Sequence, residues 1–161
     1  LSQVRTAIAH GAPEPLRRLD AEFENAKAAW AASIADADAD ALAGSALTLL
    51  YYCDARGRFD EGLDLLGAAL AAAPPGAPPH FAPLLAAALA HMAYRLDRYA
   101  EAIAEAGRAL AASRSQRHHD TRLQALKVLG CAHLQLGHYE KAGRWLRRVL
   151  AQSPPEVDPH N

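Results

Sequence analysis

Three short stretches of the sequence decide the fold, because they repeat one pattern at a fixed interval. They read RGRFDEGL at residues 56–63, LDRYAEAI at residues 96–103 and LGHYEKAG at residues 136–143. Within them an aromatic residue and a small residue recur every 40 residues, and so does a leucine that follows each stretch. These positions are Phe59, Tyr99 and Tyr139; Gly62, Ala102 and Ala142; and Leu70, Leu110 and Leu150. Such periodicity predicts an array of similar structural units.

Each unit is predicted to be a hairpin of two helices. An apolar helical stretch comes first, and an amphipathic stretch begins at the repeated aromatic residue. At the break between them, Gly57 and Gly137 can adopt the positive φ that follows a helix, and Asp97 tolerates that φ better than most residues. The first helices are predicted over 46–56, 84–96 and 123–136, and the second helices over 59–72, 99–112 and 139–152.

Two local signals refine the ends of these helices. The pairs Pro74-Pro75 and Pro154-Pro155 end two of the second helices. Thr121 and Gln124 have the spacing of a capping box, which predicts that the first helix of the third unit starts there.

The N-terminal part is less regular than the repeats. Val4 and Ile8 suggest a short helix, which Pro13 and Pro15 should break, and apolar residues spaced by three and four predict a helix over 16–35. We therefore expect an all-α fold of about eight antiparallel helices. The predicted division is N-terminal helices over 1–42, three repeats over 43–79, 80–119 and 120–155, and a tail over 156–161. The first residue is Leu1 and not Met, so we expect a piece of a longer protein.

Composition excludes several classes of protein. Alanine makes up about a quarter of the residues and aromatic residues only 6%, which argues against an all-β fold. With 51% apolar and 22% charged residues, the chain should be globular, and no apolar run is long enough to span a membrane. A net charge of −1 gives no overall attraction to nucleic acid. Two cysteines and the lack of a signal peptide favour a cytoplasmic location.

The third unit resembles a tetratricopeptide repeat in its small, aromatic and proline positions. The first and middle units share part of that pattern, with Asp97 in place of the turn glycine and Arg114 in place of the proline. The period of 40 exceeds the usual 34, and longer helices and linkers at 74–79 and 113–119 account for the difference. The resemblance implies a right-handed superhelical stack that binds proteins. The matching positions of the third unit are Leu126, Leu129, Gly130, Gly137, Tyr139, Ala142 and Pro154.

A second resemblance concerns the region from about residue 20 to 155. The stretches ENAKAAW at 24–30 and GRFDEG at 57–62 are similar to the helical region that follows the nucleotide-binding module of large bacterial signal-transduction ATPases and related transcriptional regulators. Lys27 replaces the arginine that is usual in that family, and Tyr51-Tyr52 stands where Phe-Trp is common. The resemblance implies a sensor or assembly segment of such a regulator.

No pattern in the sequence indicates catalysis or a cofactor. A P-loop and a serine nucleophile elbow are both missing. The series Asp36, Asp38 and Asp40 lacks the glycine and glutamate of a calcium loop, so helix capping is the better interpretation. The histidines have no zinc-ligand spacing. Two repeats separate Cys53 from Cys131, too far for a disulfide, so both should be buried free thiols. We predict a non-enzyme without metal or cofactor.

Basic side chains form two groups near the C-terminal end. One lies on the last helix, at Arg144, Arg147 and Arg148, and the other surrounds His118 and His119. A solvated helix face explains such groups more often than nucleic acid does, and we expect no nucleic-acid partner for this fragment.

The tetratricopeptide resemblance places a binding surface on the first helix of each unit. We expect an extended peptide or a partner helix to bind there, and the leading hypothesis is an interaction scaffold. The alternatives are a small-molecule effector pocket and a self-association module that uses the ends of the stack. The residues implied are Leu47, Tyr51, Asp54, Ala87, His91, Tyr94, Arg95, Lys127, Cys131 and Gln135.

Large side chains should provide most of the stability, because buried alanine contributes little apolar area. Trp30, Leu66, Tyr99, Tyr139 and Trp145 are the expected anchors. If Tyr139 is packed between helices, its replacement by alanine should cost about 3–5 kcal/mol.

Overall fold

The computed structural model describes residues 13–113 and 119–152, and every regular element in them is an α-helix. The short helix predicted around Val4 and Ile8 lies outside the described residues. None of the described helices is both long and apolar enough to cross a membrane. The seven helices are α1 (Pro13–Ala35), α2 (Ala39–Arg56), α3 (Phe59–Ala71), α4 (Phe81–Arg95), α5 (Tyr99–Ala112), α6 (His119–Gln135) and α7 (Tyr139–Leu150).

The tight turns between helices follow the predicted chemistry. Gly57, Asp97 and Gly137 all have positive φ, at 67°, 58° and 74°. In each turn the next residue donates its backbone N–H to a carbonyl five residues earlier, as in a Schellman motif. The turn between α1 and α2 has the same bond, from Asp38 to Ser33, and places Ala37 at a φ of 55°. Asp36, Asp38 and Asp40 indicated a helix cap in this segment, but the positive φ of Ala37 was not predicted, because alanine is not a residue that signals it.

Several helix starts were predicted too late. The three first helices begin at residues 39, 81 and 119, and not at 46, 84 and 123. Thr121 therefore lies inside α6, and the prediction that it caps that helix is wrong. Pro13 lies at the start of α1 and does not break it, since the first turn of a helix needs no intrahelical N–H donor.

The first helices α4 and α6 each contact both helices of the preceding hairpin. Helix α4 contacts α2, α3, α5 and α6, and α2 and α6 each touch α4 as well as their own second helix. In the described residues, the second helices α3, α5 and α7 do not contact one another, whereas α1 touches both α2 and α3. Helix α7 contacts α6 alone.

Small residues at one repeat position permit this close packing. Gly62, Ala102 and Ala142 are all buried near the starts of the second helices. At Gly62 an added Cβ would lie 2.8 Å from Met92 Sδ and 3.0 Å from Cys53 Cβ. The position therefore faces both the first helix of its own hairpin and that of the next, which explains why the repeat keeps a small residue there.

The core consists of two clusters of different composition. The first joins α1 to α4 through large side chains such as Phe23, Trp30 and Phe81. The second joins α4, α5 and α6 almost entirely through alanines, with Val128 and Leu129 as its larger members. The helices of the second cluster can approach closely, but the apolar area buried by each residue is small.

The prediction that Tyr139 is packed between helices is wrong. Its side chain is 71% exposed, whereas Phe59 and Tyr99 at the equivalent positions are half-buried. The Phe59 ring lies under the Arg95 guanidinium of the following hairpin, 4.5 Å from ring centroid to Cζ. Tyr139 begins the last described helix, and no later described helix covers its ring.

A candidate binding surface on the first helices

The predicted binding residues lie along α2, α4 and α6. The prediction that Ala87 lies on this surface is wrong, because it is 2% exposed and belongs to the alanine cluster of the core. The remaining residues differ in exposure. Leu47, Tyr51, Asp54, His91, Tyr94 and Cys131 are half-buried, and Arg95, Lys127 and Gln135 are exposed.

A chain of polar contacts crosses all three first helices at this surface. The side-chain amide of Gln124 on α6 donates to His91 Nδ1 on α4 at 2.8 Å. Nε2 of the same ring lies 3.1 Å from Asp54 Oδ1 on α2, and Arg95 forms an ion pair with that carboxylate. His91 Nε2 is buried and has no hydrogen bond of good geometry among the described residues, so its approach to Asp54 is an electrostatic contact.

The electrostatics of Asp54 result from two opposed effects. Burial alone would raise the pKa of its carboxyl group, but the contact with His91 and the charge of Arg95 outweigh burial, and the pKa lies below its usual value. The carboxylate is therefore ionised at neutral pH and holds both partners in place. It contributes stability above the pKa of the unfolded chain, and that contribution is lost as pH falls through the lowered value.

Sequence reasoning brought Asp54, His91 and Arg95 to one surface but missed Gln124. The signal was present, since Gln124 lies one helical turn before Lys127 and therefore on the same face of α6. The equivalent residues of the other units are Gly44 and Leu84. Neither is polar, so the repeat pattern did not indicate a polar contact at this position.

Aromatic contacts restrict two further residues of the surface. Arg95 is held between Asp54 and the ring of Phe59. The ring of Tyr94 lies against that of Tyr99, with 5.9 Å between centroids, and the Tyr99 hydroxyl donates to Asp97 Oδ1 at 2.5 Å. Lys127, by contrast, has no carboxylate partner within 4 Å among the described residues, so this exposed cation remains available to a ligand.

The cysteines and acidic residues show no sign of reactive chemistry. Burial raises the pKa of the Cys53 thiol to about 12, so it stays protonated and is a poor nucleophile. Cys131 is a half-buried free thiol, and the prediction that both thiols are buried holds fully only for Cys53. Asp38 caps α2 by accepting the N–H of Ala41 at 2.9 Å, as the capping interpretation expects. The described part of the chain brings together no group of three metal-ligating side chains.

An apolar cavity that the sequence did not reveal lies between α1 and α2. Its volume is about 230 Å³. The Trp30 indole forms part of its wall and donates its Nε1–H to the carbonyl of Leu65 at 2.9 Å, and Phe23 packs against Tyr52 with ring centroids 4.6 Å apart. The expectation that Trp30 is a core residue is confirmed by its 6% exposure.

Comparison with known protein families agrees with the repeat pattern. The tetratricopeptide repeat family matches residues 83–154, a range that covers α4 to α7. This part of the chain is a tetratricopeptide-like helical repeat region. No curated protein and no solved structure matches the chain. Tetratricopeptide repeats generally mediate protein–protein interaction and are not catalytic.

Proposed function

We propose that this chain is a non-enzymatic scaffold whose first helices bind an extended peptide or a helix of a partner protein. The observation that carries the proposal is the chain of contacts from Gln124 through His91 and Asp54 to Arg95. These contacts link α2, α4 and α6, the first helices of three hairpins, and Lys127 and Gln135 are exposed on α6. A surface that is ordered before binding loses less entropy when a partner binds.

The shape that we propose for the stack follows from its helix contacts. First helices touch one another and second helices do not, which supports a curved array with the first helices on its inner side. The right-handed superhelix and the division into repeats at 43–79, 80–119 and 120–155 are parts of this proposal.

The wider context that we propose is a larger bacterial signalling or transcriptional regulator in the cytoplasm. It rests on the similarity of residues 24–30 and 57–62 to the helical region of such regulators. In that setting the chain would be a sensor or assembly segment.

The test is a selection of peptides from a random library against the chain, followed by affinity measurements on the enriched peptides by fluorescence anisotropy. Lys127→Glu and Gln135→Ala change exposed side chains of the proposed surface and should weaken binding about tenfold or more, as expected when a contact worth about 1.4 kcal/mol is lost. Arg108→Ala on α5 is the matched control and should change affinity less than about twofold, because it removes an exposed side chain outside that surface.

Unchanged circular dichroism would show that the variants keep their fold. The proposal fails if no peptide is enriched, or if the enriched peptides bind the Lys127→Glu and Arg108→Ala variants equally well.

The cavity between α1 and α2 supports a second candidate, an effector-binding domain for a small apolar molecule. Its lining is mostly apolar, and about 230 Å³ suits a ligand smaller than a typical drug. The same variants separate the two candidates. A small molecule bound in this cavity would raise the melting temperature of the wild-type chain and of Lys127→Glu alike, because Lys127 lies on α6, away from the cavity.

A further inference from the structure

The last helix carries a group of cations that the described chain does not neutralise. Helix α7 contains Lys141, Arg144, Arg147 and Arg148 but a single carboxylate, Glu140. All ion pairs of the described residues lie between Glu14 and Arg108, so none of these four cations has a carboxylate within 4 Å. The chain as a whole has a net charge of −1, and this concentration of positive charge is therefore local.

The cations share one stripe of the helix with an aromatic ring. Lys141, Arg144, Trp145 and Arg148 follow the spacing that places side chains on one helix face. Together with His133 of α6 they line an open depression of about 510 Å³. The Arg148 guanidinium lies over the Trp145 ring, 4.9 Å from its centroid. The depression therefore combines positive charge with a flat apolar surface.

The electrostatic environment of His133 reports the same excess of charge. Burial, together with the charges of Lys141, His138 and Arg144, lowers the pKa of His133. The two imidazoles approach each other, with 3.3 Å between the Nδ1 atoms. Arg144 lies three residues from Lys141 and from Arg147 and four from Arg148, and like charges at these spacings repel one another on a helix.

Exposed apolar side chains lie at the same end of the described chain as the cationic stripe. The large hydrophobic residues that are most exposed in the described chain all belong to α6, α7 and the turn between them. They are Leu134, Leu136, Tyr139 and Leu150. Three of the four are aliphatic, and aliphatic side chains bury well against a polypeptide but offer nothing to stack on a nucleotide base.

We propose that the stripe of Lys141, Arg144, Trp145 and Arg148 on α7 binds an acidic segment of a partner protein, one that carries apolar side chains among its carboxylates. Carboxylates of the segment would pair with the arginines, and its apolar side chains would cover Trp145. Arginine suits this role because its planar group can form two parallel hydrogen bonds with one carboxylate. None of the stripe residues belongs to the proposed surface on the first helices, so this would be a second binding site.

The probe is a fluorescein-labelled peptide of sequence EELEEFEEL, titrated with the chain and followed by fluorescence anisotropy at two salt concentrations. We expect binding that weakens as salt rises, because exposed charges are screened. The double variant Arg144→Glu, Arg148→Glu should weaken binding at least tenfold. Arg17→Glu combined with Arg18→Glu on α1 is the matched control, because it changes the net charge equally on another exposed face, and it should change affinity less than twofold.

Two further measurements test whether the stripe binds another kind of molecule instead. A decamer of single-stranded DNA tests nucleic acid, and light scattering against concentration tests a second copy of the chain. The proposal is overturned if the peptide binds both double variants equally, if the DNA binds more tightly than the peptide, or if the chain self-associates in a way that Arg144→Glu, Arg148→Glu abolishes. Lys127→Glu should leave this peptide's affinity unchanged, so failure here is distinguishable from failure of the first-helix surface.

Discussion

Gly130 and Gly44 show that glycine can have opposite effects on stability in different units of one helical array. Gly130 is buried on α6 against α7, and an added Cβ would lie 2.6 Å from Leu146 Cδ2 and 2.7 Å from Leu146 Cγ. Gly44 is exposed on α2, and an added Cβ there would meet no atom within 4 Å. Packing requires the glycine at 130, whereas the glycine at 44 only weakens the helix.

This contrast gives a matched pair of variants. Gly130→Ala should destabilise the chain, because a steric cost of about 1–3 kcal/mol exceeds the helix-propensity gain of about 1 kcal/mol. Gly44→Ala should stabilise it by about 0.5–1 kcal/mol, because nothing opposes the propensity gain. The free energy of unfolding in urea measures both changes. Equal stability of the two variants would mean that α6 and α7 do not approach as closely as described.

Single residues also mark the limit of what the sequence could predict. Positive φ was predictable at Gly57, Asp97 and Gly137, because each occupies the same place in the repeat. It was not predictable at Ala37, since alanine gives no such signal and the segment lies outside the 40-residue pattern. Chemistry alone identified the first three turns, and only the backbone hydrogen bond from Asp38 to Ser33 reveals the fourth.

At the scale of the helices, existence and order were predictable and some boundaries were not. The second helices start at the repeated aromatic residue, as expected, because a two- or three-residue turn fixes that point. The first helices start earlier than expected, since the residues at their starts show no apolar period. Periodicity therefore locates the packed face of a helix better than it locates the first turn.

Burial at the end of the stack depends on neighbours that a repeat pattern does not contain. Tyr139→Ala should lower the free energy of unfolding by less than about 1 kcal/mol, because the ring is 71% exposed and leaves no cavity. Phe81→Ala is the comparison variant and should cost about 3–5 kcal/mol, because that ring is fully buried at the start of α4. Denaturant titration of both variants provides the measurement. A cost above about 2 kcal/mol for Tyr139→Ala would show that another part of the chain covers this ring.

At the scale of the whole molecule, the sequence predicted which helices carry the proposed surface, but not the network of side-chain contacts across them. Equivalent positions of the repeat correctly placed Asp54, His91 and Arg95 near one another. The same rule also selected Ala87, which is buried because its small side chain allows α4 to pack closely in the alanine cluster. The position of a residue in the repeat therefore predicts the side of the helix on which its side chain lies. Its burial depends on the size of the side chain and on its neighbours in the adjacent helices.

The distribution of contacts predicts where the folded chain opens first. Helix α4 packs against four other helices and contributes Phe81, Leu85 and Met92 to the core of large side chains. Among the described helices, α7 contacts α6 alone; it buries Ala142 and Val149 and leaves Leu150 73% exposed. In a stack held by neighbour interfaces, an end unit with one interface and little buried apolar area opens at a lower free energy than a central unit.

Native-state hydrogen exchange would measure this difference directly. Amides in the middle of α7 should exchange at least about tenfold faster than those in the middle of α4, a difference of about 1.4 kcal/mol in opening free energy. Comparing amides in the middle of both helices removes the contribution of fraying ends. Uniform protection across α4 and α7 would mean that the stack opens as one cooperative unit, and the difference in neighbouring helices between α4 and α7 would then have no energetic consequence. Slower exchange in α7 upon addition of the acidic peptide would in turn locate that peptide on the last helix, because binding to the folded form alone stabilises the unit that it contacts.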